Sequence, residues 1–303
     1  MAQIRANGLD FEYESFGRES DPAVLLIAGV LEQSTGWHMS FCEGLVARGF
    51  RVIRFDNRDV GKSTVLASLG APAIPQIMAR LMSGQKVDVP YTLRDMAADA
   101  AALLDALGIA QAHVVGRSMG GAIAQLVAID YPGKTKSLVS MMSGSARRGL
   151  PPPKPEAVMA MMARPADDSR EARLAVRTKF FRTVQGAAYP AGDDELRAYA
   201  GAQIDRAPLD MAAAVRQSAA LIAAEPRNEL LKNVRAPTLV LHGADDPLAP
   251  LAGAKDVADC VSGAELVVVP GMGHDFSEAV VKDVFLKYVP DFLLRAEAKS
   301  RAA

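Results

Sequence analysis

The sequence predicts an α/β protein built on a mostly parallel central sheet with helices on both faces. Three observations carry this. Short apolar runs recur along the 303 residues: VLLIA (24–28), RVIRF (51–55), AHVV (112–115), SLVSM (137–141), TLVLH (238–242) and ELVVV (265–269). Helical patterns separate them, and a crossover of that length is what parallel neighbours require. The runs are continuously apolar, as strands covered on both faces are. No internal repeat is present.

Taken in order, the opening segment with Ile4 and FEYESF reads as an antiparallel hairpin at one edge of the sheet. Residues 65–90 form a short excursion with a helix carrying Ile74, Ile77, Met78, Leu81 and Met82 on one face. Thr92 followed by Asp95 is a capping signature. Leu93, Met96, Ala100, Leu103 and Leu107 then recur at helical spacing, and Gly108 ends the helix. After SLVSM the alternation breaks. Residues 145–232 turn Pro-rich (GLPPPKPEA) and then helical without strands, carrying Met159, Met161, Met162, Phe180, Phe181, Tyr189 and Tyr199, and the sheet resumes at RAPTLVLHG. The expected division is a core of 1–144 and 233–303, with a helical cap of 145–232 inserted after the sixth strand and 65–90 as a shorter lid. Both excursions leave after a strand's C-terminal end, the edge where such sheets bind ligands. The final LLRAEAKSRAA reads as the end of a last helix.

The segment VVGRSMGGAIAQ (114–125) places Ser118 between glycines where a strand becomes a helix. A sharp turn there strains the central residue and crowds its neighbours, so Gly116 and Gly120 relieve collisions. Ser118 then stands at a helix N-terminus, whose outward N–H groups can stabilise an oxyanion. A serine nucleophile needs a base. Of four histidines, His38 lies at a helix start, His113 near the beginning of a strand, and His242 at a strand end; His274 lies in the Gly-flanked loop PGMGHDF after the last strand. His274 is therefore the expected base. The orienting carboxylate should fall between serine and histidine, where GADDPLAP offers Asp245 and Asp246, and turn chemistry does not choose between them.

These residues resemble the α/β-hydrolase superfamily over nearly the whole chain. The family's H-G-x-x-D, with a proline four residues on, matches His242 to Asp246 and Pro250, so the resemblance selects Asp246. AGVLEQSTGW (28–37) stands where the family carries its oxyanion loop, with Ala28 in place of the usual histidine. By that match the oxyanion donors are the N–H groups of Val30 and Met119. FDNRDVGKST (55–64) resembles the family's D-x-R-G-x-G-x-S turn, with Asp59 replacing the first glycine, and Asp56 and Arg58 are expected to fix this loop. The D-x-R-D-x-G form and the A-G-x…G-W loop are similar to bacterial esterases of the aclacinomycin-methylesterase type. The resemblance implies a serine esterase working through an acyl-enzyme. Serine at the elbow disfavours dehalogenases and epoxide hydrolases; carbon–carbon bond hydrolases, perhydrolases and a non-catalytic binding protein remain alternatives.

Lys and Arg (34) nearly balance Asp and Glu (35), and no basic run with interleaved aromatics appears, so no nucleic acid or membrane partner is expected. Nothing resembles a secretory signal or a spanning segment, and Cys42 and Cys260 fit reduced thiols, so a cytoplasmic setting is expected. No ligand-spaced His/Cys/carboxylate cluster or Gly-x-Gly-x-x-Gly turn implies a metal or cofactor. The expected partner is a small-to-medium apolar ester, in an adaptable pocket lined by Leu31, Trp37, Met142, Phe180 and Phe181. The sequence leaves the oligomeric state open.

Overall fold

The computed structural model describes residues 1–207 and 209–302. All six apolar runs become strands, joined by the predicted edge hairpin: β1 (Ala2–Ala6), β2 (Leu9–Phe16), β3 (Ala23–Ile27), β4 (Arg51–Phe55), β5 (Ala112–Arg117), β6 (Thr135–Met141), β7 (Thr238–Gly243) and β8 (Glu265–Val269). They form one sheet in the order β1-β2-β4-β3-β5-β6-β7-β8. The pairs β1–β2 and β2–β4 are antiparallel and every other pair is parallel. The hairpin turns at Asn7-Gly8, both at positive φ (46° and 77°), which is the geometry a two-residue hairpin loop needs.

The helices are α1 (Met39–Val46), α2 (Ile74–Met82), α3 (Leu93–Ala106), α4 (Met119–Asp130), α5 (Pro155–Met162), α6 (Arg170–Val184), α7 (Asp193–Arg206), α8 (Met211–Ile222), α9 (Asn228–Leu231), α10 (Leu251–Cys260), α11 (Glu278–Val280) and α12 (Leu286–Ala302). Successive strand residues feed opposite layers, as the two-residue period of a strand demands. Leu25, Ile27, Ile53, Val114, Leu138 and Val240 pack with α3, α4 and α10. Val24, Leu26, Val52, Val115, Val139 and Leu241 pack with α1 and α12 on the other face. The start of α3 carries the predicted capping box, with Thr92 N–H donating to Asp95 Oδ2 at 2.7 Å.

The chain between β6 and β7 contains helices α5 to α9 and no strand among its described residues. Its apolar residues form a separate cluster of Leu174, Phe181, Val184, Leu196 and Tyr199, joined by Phe276 from beyond β8. Helix α2 departs from expectation. Of its five predicted apolar-face residues only Ile77 is buried, and Met82 is 85% exposed. The strand order reverses between β3 and β5, so the loops after these two strands open a crevice at the C-terminal edge.

Candidate active site

Ser118 occupies the tip of the turn between β5 and α4, with φ 56° and ψ −125°, a strained backbone for a residue with a side chain. Close approach explains the glycines. A Cβ on Gly116 would lie 2.0 Å from Gly120 O, and one on Gly120 would lie 2.1 Å from Ile27 O. The turn therefore presses against the end of β3, and a Cβ on Gly29 would come within 3.4 Å of Ser118 Cβ. Val30 follows in that loop. Met119 begins α4, so its N–H has no partner within the helix. The two residues expected to donate to the oxyanion thus follow directly on Gly29 and on Ser118 in the chain. Ser118 Oγ makes no hydrogen bond among the described residues and is partly exposed.

His274 follows β8, and its Nδ1 lies 2.7 Å from Asp246 Oδ2. Asp246 Oδ1 accepts the N–H groups of Leu248 (2.8 Å) and Ala249 (2.7 Å), which fixes the carboxylate. Asp245, by contrast, is exposed. The histidine loop is held from several sides. His274 N–H donates to Val184 O at the end of α6 (2.8 Å). Asp275 accepts the N–H groups of Gly186 (3.0 Å) and Gly273 (2.6 Å), and burial pushes its pKa up to about 6. His38 Nε2 lies 2.8 Å from Phe276 O. His242 points its Nε2 at Ala249 O (2.7 Å), and burial lowers its pKa. Of the four histidines, His274 makes the closest contact with an aspartate, and His242 Nε2 lies 3.7 Å from the same Asp246 Oδ2.

The most important group that sequence reasoning missed is an ion pair beneath the serine. Arg117, fully buried, places Nε and Nη2 on Glu32 at 3.1 and 2.6 Å and bonds Gly36 O and Tyr199 Oη. Glu32 Oε2 in turn accepts the N–H of Gly29 at 3.0 Å. Burial works against the Glu32 carboxylate, yet Arg117 and that N–H hold it below the usual range. Arginine at the variable position of the turn was the available signal, because a buried guanidinium demands a partner. The D-x-R-D turn behaves as expected. Asp56 accepts Ser34 N–H (2.7 Å), Arg58 pairs with Asp99, and Asp59 takes the positive φ (65°) where the family has glycine.

The five residues expected to line the pocket lie in different surroundings. Trp37 is core, stacked on Phe41 at 5.5 Å with Arg117 over its ring, and Met142 is fully buried in the same cluster. Met159 and Met162 project to solvent because α5 turns that face away from its neighbours. Leu31 is partly buried and donates its N–H to Gln217 Oε1 at 2.7 Å. Phe180 and Phe181 do join an aromatic group with Tyr199 and Phe276, and Phe276 lies 5.7 Å from the His274 ring. Phe276 was not anticipated, being two residues from the histidine with no periodicity to mark it.

Residues 22–278 match the family model described as the alpha/beta hydrolase fold. The rhodomycin D methylesterase of Streptomyces peucetius is 30% identical over 289 residues, covering 88% of this chain and 89% of that protein. The 2-hydroxy-6-oxo-6-phenylhexa-2,4-dienoate hydrolase of Burkholderia cepacia is 30% identical over 276 residues, 89% of this chain and 87% of that protein. In fold, the chain is similar to the crystal structure of the enol-lactonase from Burkholderia xenovorans, with TM-score 0.72 and 20% identity, covering 97% of this chain and 100% of that one. No helix among the described residues is long and apolar enough to cross a membrane.

Proposed function

This chain belongs to the α/β-hydrolase fold family, and we propose that within it the chain is a serine esterase acting on small-molecule carboxylic esters through an acyl-enzyme. The observation that carries this reading is the 2.7 Å contact of His274 Nδ1 with Asp246, taken together with the strained backbone and unbonded hydroxyl of Ser118. Similarity to a methylesterase supports ester chemistry. In the mechanism, His274 Nε2 takes the Ser118 proton as Oγ attacks the ester carbonyl. Asp246 holds the ring in the tautomer that leaves Nε2 free and stabilises the imidazolium. The N–H groups of Val30 and Met119 receive the oxyanion, each worth on the order of 10²–10³ in rate. The alcohol leaves with the proton from His274. Water activated by the same nitrogen then attacks the acyl-enzyme and regenerates Ser118. The residues 145–232 act as the cap over this site, and 65–90 as its shorter lid. The two free, buried cysteines suit a cytoplasmic setting.

Hydrolysis of p-nitrophenyl acetate, butyrate and octanoate by the wild type and by Ser118→Ala tests this. The expected result is turnover that falls on the order of 10⁶-fold in the variant. Turnover that survives in Ser118→Ala refutes the assignment. A carbon–carbon bond hydrolase is the second reading, favoured by the Burkholderia dienoate hydrolase relative. Faster cleavage of a vinylogous 1,5-diketone than of any ester would select it.

A further inference from the structure

The geometry points to a carboxylate-binding subsite under the helical insertion, in which Arg177 receives a negatively charged end of the ester substrate; this rests on the esterase reading. Leu174, Arg177, Phe181 and Val184 recur at helical spacing along one face of α6. That face is turned toward the histidine loop, because Phe181 on it packs against Phe276, while Val184 O at the end of the helix accepts the N–H of His274. Arg177 stands two turns back, about 10 Å along the helix. Its guanidinium lies 4.9 Å from the centre of the Phe181 ring and 5.7 Å from that of Phe180. Phe181 lies 5.0 Å from Phe276, which neighbours His274. Arg177 is only partly exposed, yet it has no ion pair and no hydrogen bond among the described residues.

Charge balance makes this informative. The carboxylate nearest in chemistry, Glu32, is already saturated by Arg117, Tyr199 and Gly29 N–H. Asp246 is committed to His274, and Asp275 to two backbone N–H groups. Arg117 Nη1 is also buried without a partner. Among the described residues the region therefore holds unmatched guanidinium donors and no unmatched carboxylate. Burial pulls the Arg177 pKa below its ordinary value, against the opposing influence of Glu32 and Tyr199, so a charged guanidinium there gains by acquiring an anion. A planar fork suits a carboxylate bidentately. The aromatic rings between Arg177 and His274 suit an apolar stem joining that carboxylate to the ester.

The test compares p-nitrophenyl hemiesters of succinate, glutarate, adipate and suberate with their methyl-capped, uncharged counterparts. In the wild type kcat/KM should favour the charged member at one or two chain lengths. In Arg177→Gln the charged-to-neutral ratio should fall by about tenfold or more, because a charge-assisted pair is lost. Arg177→Lys should recover part of it. A wild-type ratio at or below one for every length overturns the subsite, as does a variant that lowers both members equally. If no ester is turned over, the esterase reading fails separately. Calorimetric titration of Ser118→Ala with monomethyl adipate and monomethyl suberate then decides the subsite: binding that Arg177→Gln abolishes supports it, and no binding overturns it.

Discussion

At position 246 one carboxylate meets two demands, since Oδ1 closes the turn through Leu248 and Ala249 N–H and Oδ2 faces His274 Nδ1. An asparagine there can still close the turn with its carbonyl, but its amide then presents a donor to the imidazole. The ring answers by placing its proton on the other nitrogen, where it can no longer accept from serine. Asp246→Asn should therefore stay folded while kcat falls by about 10⁴-fold. Asp245→Asn should remain within about twofold, because that side chain is exposed. Circular dichroism with p-nitrophenyl butyrate kinetics checks both, and equal losses would place the orienting role elsewhere. Residues of this kind were legible in the chain because each carries a local mark: glycines that collide if given a Cβ, or a histidine in a loop with no packing reason to be there. Glu32 and Arg117 were not. They are 85 positions apart, and only the register of β3 beside β5 brings them together.

That pair joins three elements, since Arg117 ends β5, Glu32 lies in the loop after β3, and Tyr199 on α7 donates to Glu32 at 2.9 Å. Its consequence reaches the expected oxyanion loop through Gly29 N–H. Glu32→Gln leaves a buried guanidinium unpaired, so stability should fall by about 3–5 kcal/mol. The double variant Glu32→Gln with Arg117→Met removes both charges and should melt closer to the wild type than Glu32→Gln does. Its kcat should nevertheless stay below wild type with KM less affected, because the Gly29 N–H is then held by a neutral amide oxygen that no Arg117 fixes, which loosens the loop that carries Val30 N–H. Thermal melts and steady-state kinetics separate the two roles, and a double variant with wild-type kcat would reduce the pair to a structural one. At this scale strands were read more faithfully than helices of the insertion. A buried strand announces itself by composition, whereas α2 and α5 present apolar faces that the described chain leaves largely uncovered, as Met82 and Met159 show.

Across the whole molecule, the parallel sheet with two apolar layers followed from continuous apolar runs, and the crevice followed from strand order. What the pattern could not reveal was the set of polar side chains locked between layers, of which His113 has the clearest consequence. It sits fully buried on β5, 2.7 Å from Ser137 Oγ and 3.0 Å from Glu297 Oε1 on α12, with Phe50 edge-on at 5.6 Å. Burial pushes its pKa down to about 4, although Glu297 pulls the other way and Lys136 adds to the depression. A histidine depressed in the folded state takes up a proton more readily once unfolded. Its stabilising contribution is therefore complete above the ordinary histidine range, near 6.5, and is lost as pH falls toward about 4. Asp275 acts with the opposite sign. Its raised pKa gives a contribution present at low pH and lost as pH climbs through about 6, so the raw stability curve mixes the two. The difference between wild type and His113→Gln cancels the Asp275 contribution. In urea denaturation at pH 7 and pH 4.5, the gap between the two proteins should shrink by on the order of 2 kcal/mol at the lower pH. A gap that stays constant would mean that folding leaves the His113 pKa unchanged, and one that widens toward low pH would mean that the fold holds His113 as a cation beside Glu297.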